Sequence, residues 1–122
     1  DYLDGPDLTI PFSYYHELLR TKIPKGMSIV FLSDDIKTTK EEFSYVDNCY
    51  FSEKSVIEDL QFIMYAQICI LSCSTFSWWG AWLNQNENKT ILIPEYFLGF
   101  RVKKEYPINI IPTNWSKINI KP

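Results

Sequence analysis

The pattern that most narrows the fold of this chain is a set of short, uninterrupted apolar runs. MSIVFL at 27–32, ICIL at 68–71 and TILI at 90–93 are rich in β-branched residues and too short for buried helices. Strands with no polar alternation are covered on both faces, which is the habit of parallel sheets. A weaker strand is expected at 48–51. Between these runs the apolar spacing turns helical. Tyr15, Leu18 and Leu19 recur at helical intervals over 12–22, and Pro24-Lys25-Gly26 ends that segment. The polar stretch around Glu41 and Glu42 suits a short helix. In VIEDLQFIMYA, 56–66, one face collects Val56, Leu60, Ile63 and Met64, with Asp59 at its edge and Glu58 almost opposite. Ser52 and Ser55 are the candidate caps of that helix. The segment FSWWGAWLN, 76–84, is apolar nearly all round. It predicts a short helix enclosed on both sides, with Trp78, Trp79 and Trp82 in core or interdomain packing. Strands alternating with helices predict an α/β fold, a parallel sheet with helices on both faces. Pro94 should stop the last strand, and the tail beyond it shows little regular pattern.

Composition closes off several classes of function. With 122 residues, 46% hydrophobic and 16% aromatic, the chain has ample apolar surface for one ordered domain. Its formal charge of −3 and pI near 5.1 exclude general nucleic-acid binding, which rests on neutralising phosphates. Cys49, Cys69 and Cys73 form no C-x-x-C pair, and His16 is the single histidine, so no zinc cluster can be assembled from them. Reduced thiols in a core are the simpler reading of the cysteines, and His16, without a metal-ligand partner in the sequence, reads as structural. The apolar runs fall well short of a membrane span. Asp1-Tyr2-Leu3 lacks any leader pattern, and the chain is expected to be a piece of something longer.

Ligands of open parallel sheets bind beyond the carboxyl ends of the strands. Two polar segments fall there, Ser33-Asp34-Asp35 and Ser72-Cys-Ser-Thr-Phe-Ser77. The second joins a strand to a helix, so free backbone N–H groups and a partial positive charge meet the hydroxyls of Ser74, Thr75 and Ser77. A phosphate or pyrophosphate would suit them, and so would plain helix capping by Ser74 or Thr75. Asp34 and Asp35 admit a similar pair of readings, a ribose or Mg²⁺ contact against a turn or cap. Asp59 could bond a nucleobase edge or stand as a partly exposed helix carboxylate. No Walker lysine and no G-x-G-x-x-G is present. A phosphoacceptor receiver module is a rival from a different class. It lacks an aspartate ending the 48–51 strand and a lysine after the 90–93 strand.

The run STFSWWGAWLN, 74–84, following EDLQFIMYAQICILSC, resembles the family 11 glycosyltransferases, the α-1,2-fucosyltransferases. Tyr14-Tyr15, Phe31-Leu-Ser-Asp-Asp35, Glu58-Asp-Leu60 and Ile91-Leu-Ile-Pro94 before Tyr96-Phe97 support the resemblance in the same order. What it implies is part of the C-terminal, GDP-fucose-binding half of a two-domain GT-B enzyme with Rossmann-like halves, covering 1–122. Such an enzyme transfers fucose from GDP-fucose to the 2-hydroxyl of a galactoside with inversion, without a metal or other cofactor. Ser74, Thr75, Ser77 and the backbone of Phe76 would face the β-phosphate, Asp59 the guanine edge, and Asp34 or Asp35 the ribose. Asp1-Tyr2 match the end of the family's H-x-R-x-G-D-Y motif, so its arginine would lie upstream. No general base stands out, and the fragment alone is expected to be inactive. The partners implied are GDP-fucose and a glycan acceptor, in the cytoplasm and peripheral to a membrane. A degenerate, non-catalytic transferase half is the remaining alternative.

Overall fold

A computed structural model describes residues 9–121; Asp1-Tyr2, assigned above to the basic motif, lie outside them. Its elements run α1 (Phe12–Lys22), β1 (Ile29–Phe31), α2 (Ile36–Glu42), β2 (Cys49–Phe51), α3 (Val56–Tyr65), β3 (Ile68–Ile70), α4 (Thr75–Trp82), β4 (Thr90–Pro94) and β5 (Ser116–Ile118). Every strand pair is parallel. This is the expected α/β, Rossmann-like arrangement, with one difference. The strands form two ladders, β1-β2 and β3-β4-β5, and not one continuous sheet. An open cleft lies where β1 and β3 would otherwise pair, lined by residues of both strands.

The larger sheet is covered on both faces. Cys69, Leu71, Ile91 and Ile93 pack with Ile63 of α3 and Ala81 of α4 in one cluster. Leu92 joins Tyr14 and Leu18 of α1 in a second cluster, flanked by Ile68, Ile70 and Ile118. Alternate strand residues therefore serve opposite cores, which is why the sequence shows continuous apolar runs. The smaller sheet is covered less fully. Of the 27–32 run only Ile29–Phe31 is ladder, and Val30 is 38% exposed because a two-stranded sheet packed on one side leaves alternate residues to solvent. Pro94 closes β4 as its last residue, and there it pairs with Ile118 of β5, a strand that forms within the tail where the sequence shows little regular pattern.

Helix α1 bridges the two ladders. Its Tyr14 and Leu18 are buried against β3 and β4, whereas the rings of Phe12, Tyr15 and His16 pack around Phe43 at the end of α2. Phe43 in turn stacks on Phe31 of β1 at 4.8 Å. His16 does acquire partners: Nε2 lies 2.6 Å from Glu42 Oε2, and Nδ1 lies 2.5 Å from the Tyr45 hydroxyl. The fold brings Glu42 to a histidine that has no such neighbour in sequence.

Helices α3 and α4 pack at unusually close range. A Cβ on Gly80 would fall 2.7 Å from Ile63 Cγ2, so only glycine lets the two helix backbones approach this far. Asn84, 1% exposed, ties the far ends together. Its Nδ2 donates to the carbonyls of Ile63 at 2.8 Å and Ala66 at 2.9 Å, and its Oδ1 accepts from Asn86 N. Two carbonyls at the C-terminus of α3, which helix geometry leaves unpaired, are satisfied this way.

The expectation of a fully enclosed tryptophan helix needs correcting. Trp78 is half-buried, donating Nε1–H to the Ile110 carbonyl at 3.0 Å and packing on buried Trp115. Trp79 and Trp82 are 55% and 54% exposed. Gly80 and Ala81 carry the packing of α4, and a single helix cannot turn all its faces to one neighbour and one sheet. Val56, placed on the apolar face of α3, is likewise exposed, since it opens the first turn beyond the reach of α4. No helix among the described residues is long and apolar enough to cross a membrane.

Candidate functional site

The cleft between the ladders has a volume of about 1110 Å³ and reaches the carboxyl ends of β1 and β3. Asp34, Asp59, Ser74, Phe76 and Ser77, all singled out from sequence, line it together. Thr75 does not. It is exposed at the first position of α4.

Ser74 is the N-cap of α4: its Oγ accepts from Ser77 N at 3.3 Å, and Ser77 Oγ donates to Ser74 O at 2.8 Å. The capping role is therefore real, and it leaves the phosphate reading open. Ser74 keeps its hydroxyl proton, Ser77 keeps its oxygen lone pairs, and the N–H groups of Thr75 and Phe76 open the helix without intrahelical partners. Those groups sit at the positive end of the α4 dipole.

The aspartates after β1 divide their work. Asp35 caps α2, accepting from Thr38 N at 3.2 Å and from Thr38 Oγ1 at 2.7 Å. These bonds to the charged form, with Lys37 nearby, hold its carboxyl below the usual range. Asp34 and Asp35 both stand exposed on the cleft wall, and Asp34 makes no such cap, which leaves its carboxylate available to a ligand.

Asp59 stands in the first turn of α3, capped by Ser55, whose Oγ accepts from Glu58 N. Ser52, the other cap candidate, does something else. Its side chain, 4% exposed, donates from Oγ to Asp59 Oδ1 at 2.6 Å. Sequence reasoning saw Ser52 only as a cap, because nothing in local spacing reveals a bond to a carboxylate in the following helix.

Two tyrosines of α1 brace the second strand end. Tyr14 donates to the Leu71 carbonyl at 3.0 Å, and Tyr15 packs edge-on against its ring at 4.9 Å. Burial pushes both phenols well above their ordinary range. The Tyr14-Tyr15 pair was visible in the sequence, but its bracing role appears only with the fold. Cys69 and Cys73 are buried free thiols, pushed up to about 11 and about 12 by desolvation. Neither is poised as a nucleophile.

The profile of Glycosyl transferase family 11 matches residues 13–119. The chain belongs to that family. Two relatives from Escherichia coli agree with the assignment. The chain is 31% identical over 111 residues to the O-antigen biosynthesis glycosyltransferase WbnK, covering 81% of this chain and 37% of that protein. It is 34% identical over 112 residues to an α-1,2-colitosyltransferase, covering 86% of this chain and 38% of that protein. The chain thus spans well under half the length of these family 11 relatives. No solved structure matches it. Membership in family 11 sets aside the receiver-module reading. It also gives the STFSWWGAWLN run a structural content: Ser74 caps, Gly80 permits close packing, and Asn84 fastens α3 to α4.

Proposed function

We propose that this chain is the GDP-sugar-binding part, the C-terminal half, of a GT-B α-1,2-fucosyltransferase acting on a galactoside. The observation that carries this reading is the convergence of Asp34, Asp59 and the α4 N-terminus on one cleft at the strand ends. The span of that cleft accommodates a nucleoside diphosphate-sugar. The Thr75 and Phe76 N–H groups and the Ser74 and Ser77 hydroxyls receive the β-phosphate. Asp59 accepts from guanine N1–H and N2–H, an edge that adenine does not offer. Asp34 meets the ribose.

In the reaction, the acceptor 2-hydroxyl attacks the anomeric carbon from the face opposite the nucleotide. The carbon–oxygen bond to the β-phosphate breaks, and GDP leaves with the electron pair. Helix-terminus N–H groups stabilise the charge that develops on that leaving oxygen, and no metal is required. The arginine of the family's basic motif adds a bidentate cation to the same phosphate. The proton of the acceptor passes to a base outside this segment, so the 122-residue chain alone is inactive and binds GDP weakly. The same reading locates the protein in the cytoplasm, peripheral to a membrane, where GDP-sugars and reduced thiols coexist.

Similarity to a protein named for colitose favours a second donor reading, GDP-colitose in place of GDP-fucose. Titrating the full-length protein with both donors separates the two. Ser74→Asp tests the site itself. Aspartate is as good an N-cap as serine, so folding stability should hold, whereas its charge should repel the β-phosphate and lower GDP affinity at least tenfold. Unchanged GDP binding in Ser74→Asp would reject the phosphate assignment. Full GDP binding without turnover in the wild-type protein would indicate a degenerate, non-catalytic half.

A further inference from the structure

We infer that Ser52 is a positioning residue that sets nucleobase specificity by fixing the orientation of Asp59. This rests on the assignment of Asp59 to the guanine edge. Ser52 follows β2 directly, and its backbone N–H donates to Phe31 O at 3.0 Å, which locks it to the end of β1. Its hydroxyl is buried and has both of its roles defined. The oxygen accepts from Lys54 N at 3.3 Å, and the proton is given to Asp59 Oδ1 at 2.6 Å. A hydroxyl whose lone pair is engaged by a backbone donor cannot rotate freely, so its proton has one direction.

Such a bond to a carboxylate is charge-assisted and short. It clamps one oxygen of Asp59 to the β1-β2 ladder while the residue's backbone belongs to α3, where Asp59 N donates to Ser55 O. The carboxylate plane is therefore set by two separate elements before any ligand arrives. Both carboxylate oxygens retain lone pairs for a ligand, since each can accept more than one hydrogen bond. Recognition of two parallel donors requires that plane to be right, whereas a single donor tolerates rotation. Ser52 should accordingly matter more for guanine than for a base with one donor on that edge.

The test compares GDP, inosine diphosphate and ADP as probes, by calorimetry on the full-length protein. Inosine diphosphate keeps N1–H and lacks the 2-amino group. Ser52→Ala is expected to weaken GDP binding about tenfold and inosine diphosphate binding about threefold or less, collapsing the preference between them. Ser52→Thr, which keeps the hydroxyl, should restore most of that preference. Asp59→Asn should weaken GDP at least as strongly as Ser52→Ala. If Asp59→Asn weakens GDP and Ser52→Ala leaves it within twofold, the positioning role is overturned and the guanine assignment survives. If Asp59→Asn leaves GDP binding intact, the assignment of Asp59 itself fails. If Ser52→Ala weakens all three nucleotides equally and lowers the melting temperature, the hydroxyl serves only the fold and the inference is wrong.

Discussion

The phenol of Tyr14 donates to the carbonyl of Leu71 across 57 positions of chain, at 3.0 Å and out of contact with water. Leu71 follows the last residue of β3, so this bond fixes α1 to the point where the Ser72–Ser77 segment departs. Tyr14→Phe keeps the ring and removes the donor. Loss of a buried hydrogen bond of this kind costs about 1–2 kcal/mol. The expected result is a lower urea midpoint with an unchanged m-value.

Gly80 supplies a second prediction. An alanine there would place its Cβ 2.7 Å from Ile63 Cγ2 and 2.8 Å from Ile63 Cβ, a branch point with no freedom to swing aside. Gly80→Ala should destabilise by about 1–3 kcal/mol despite the better helix propensity of alanine. Adding Ile63→Ala to Gly80→Ala should then cost less than the two single changes summed. A double-mutant cycle in denaturant reads that coupling directly.

Removing the Asn84 side chain should be costlier. Asn84→Ala strips donors from the Ile63 and Ala66 carbonyls at once, inside a site that is 1% exposed. A loss of about 2–4 kcal/mol is expected from leaving both acceptors unpaired. Asn84→Asp should be no better, since it turns a carboxylate oxygen toward the same carbonyls. Thermal unfolding of both variants checks this order.

Alkaline pH should destabilise the fold through its buried thiols. Folding raises Cys69 to about 11 and Cys73 to about 12 from an ordinary value of 9.0. Above pH 9 the unfolded chain releases these protons while the folded one keeps them, so stability falls as pH rises toward 12. Tyr14 and Tyr15, raised the same way, add to the slope from about pH 10. Melting temperatures measured from pH 8 to 11.5 should decline, and Cys73→Ala should flatten part of that decline.

How much of this was legible in sequence depends on how local the cause is. Continuous apolar runs announced β3 and β4 because both faces of each are covered, and the cap of α4 followed from a serine before an apolar helix. The gathering of Asp34 and Ser74 on one cleft was foreseeable from strand-end logic, whereas Asp59, in the first turn of a helix, was tied to that site only by the family resemblance. Ser52 and its bond to Asp59 were not, since a hydroxyl seven residues before a carboxylate carries no periodic signature. The exposure of Trp79 and Trp82 was missed for a related reason: composition records how apolar a helix is, not how many neighbours are present to cover it. The split between the two ladders was equally hidden, because β1 and β3 are each apolar enough to have been adjacent.

The covering of β4 on both sides has a consequence for the frame in which that strand is held. Ile91, Leu92 and Ile93 are all apolar, so sliding the strand by one residue would exchange the contents of the two cores without exposing anything oily. Hydrophobicity alone cannot forbid the slip. Backbone parity can. Thr90 N donates to Gln67 O and Leu92 O accepts from Leu71 N, so even-numbered residues bond toward β3, while Glu95 N donates to Ile118 O and marks the odd row toward β5. Pro94 falls on the even row, past the last β3 partner, where its missing N–H is never asked for. Displaced by one, the proline would take the place of Glu95 and leave the Ile118 carbonyl without its donor. Pro94 is the residue that tells this strand where zero is.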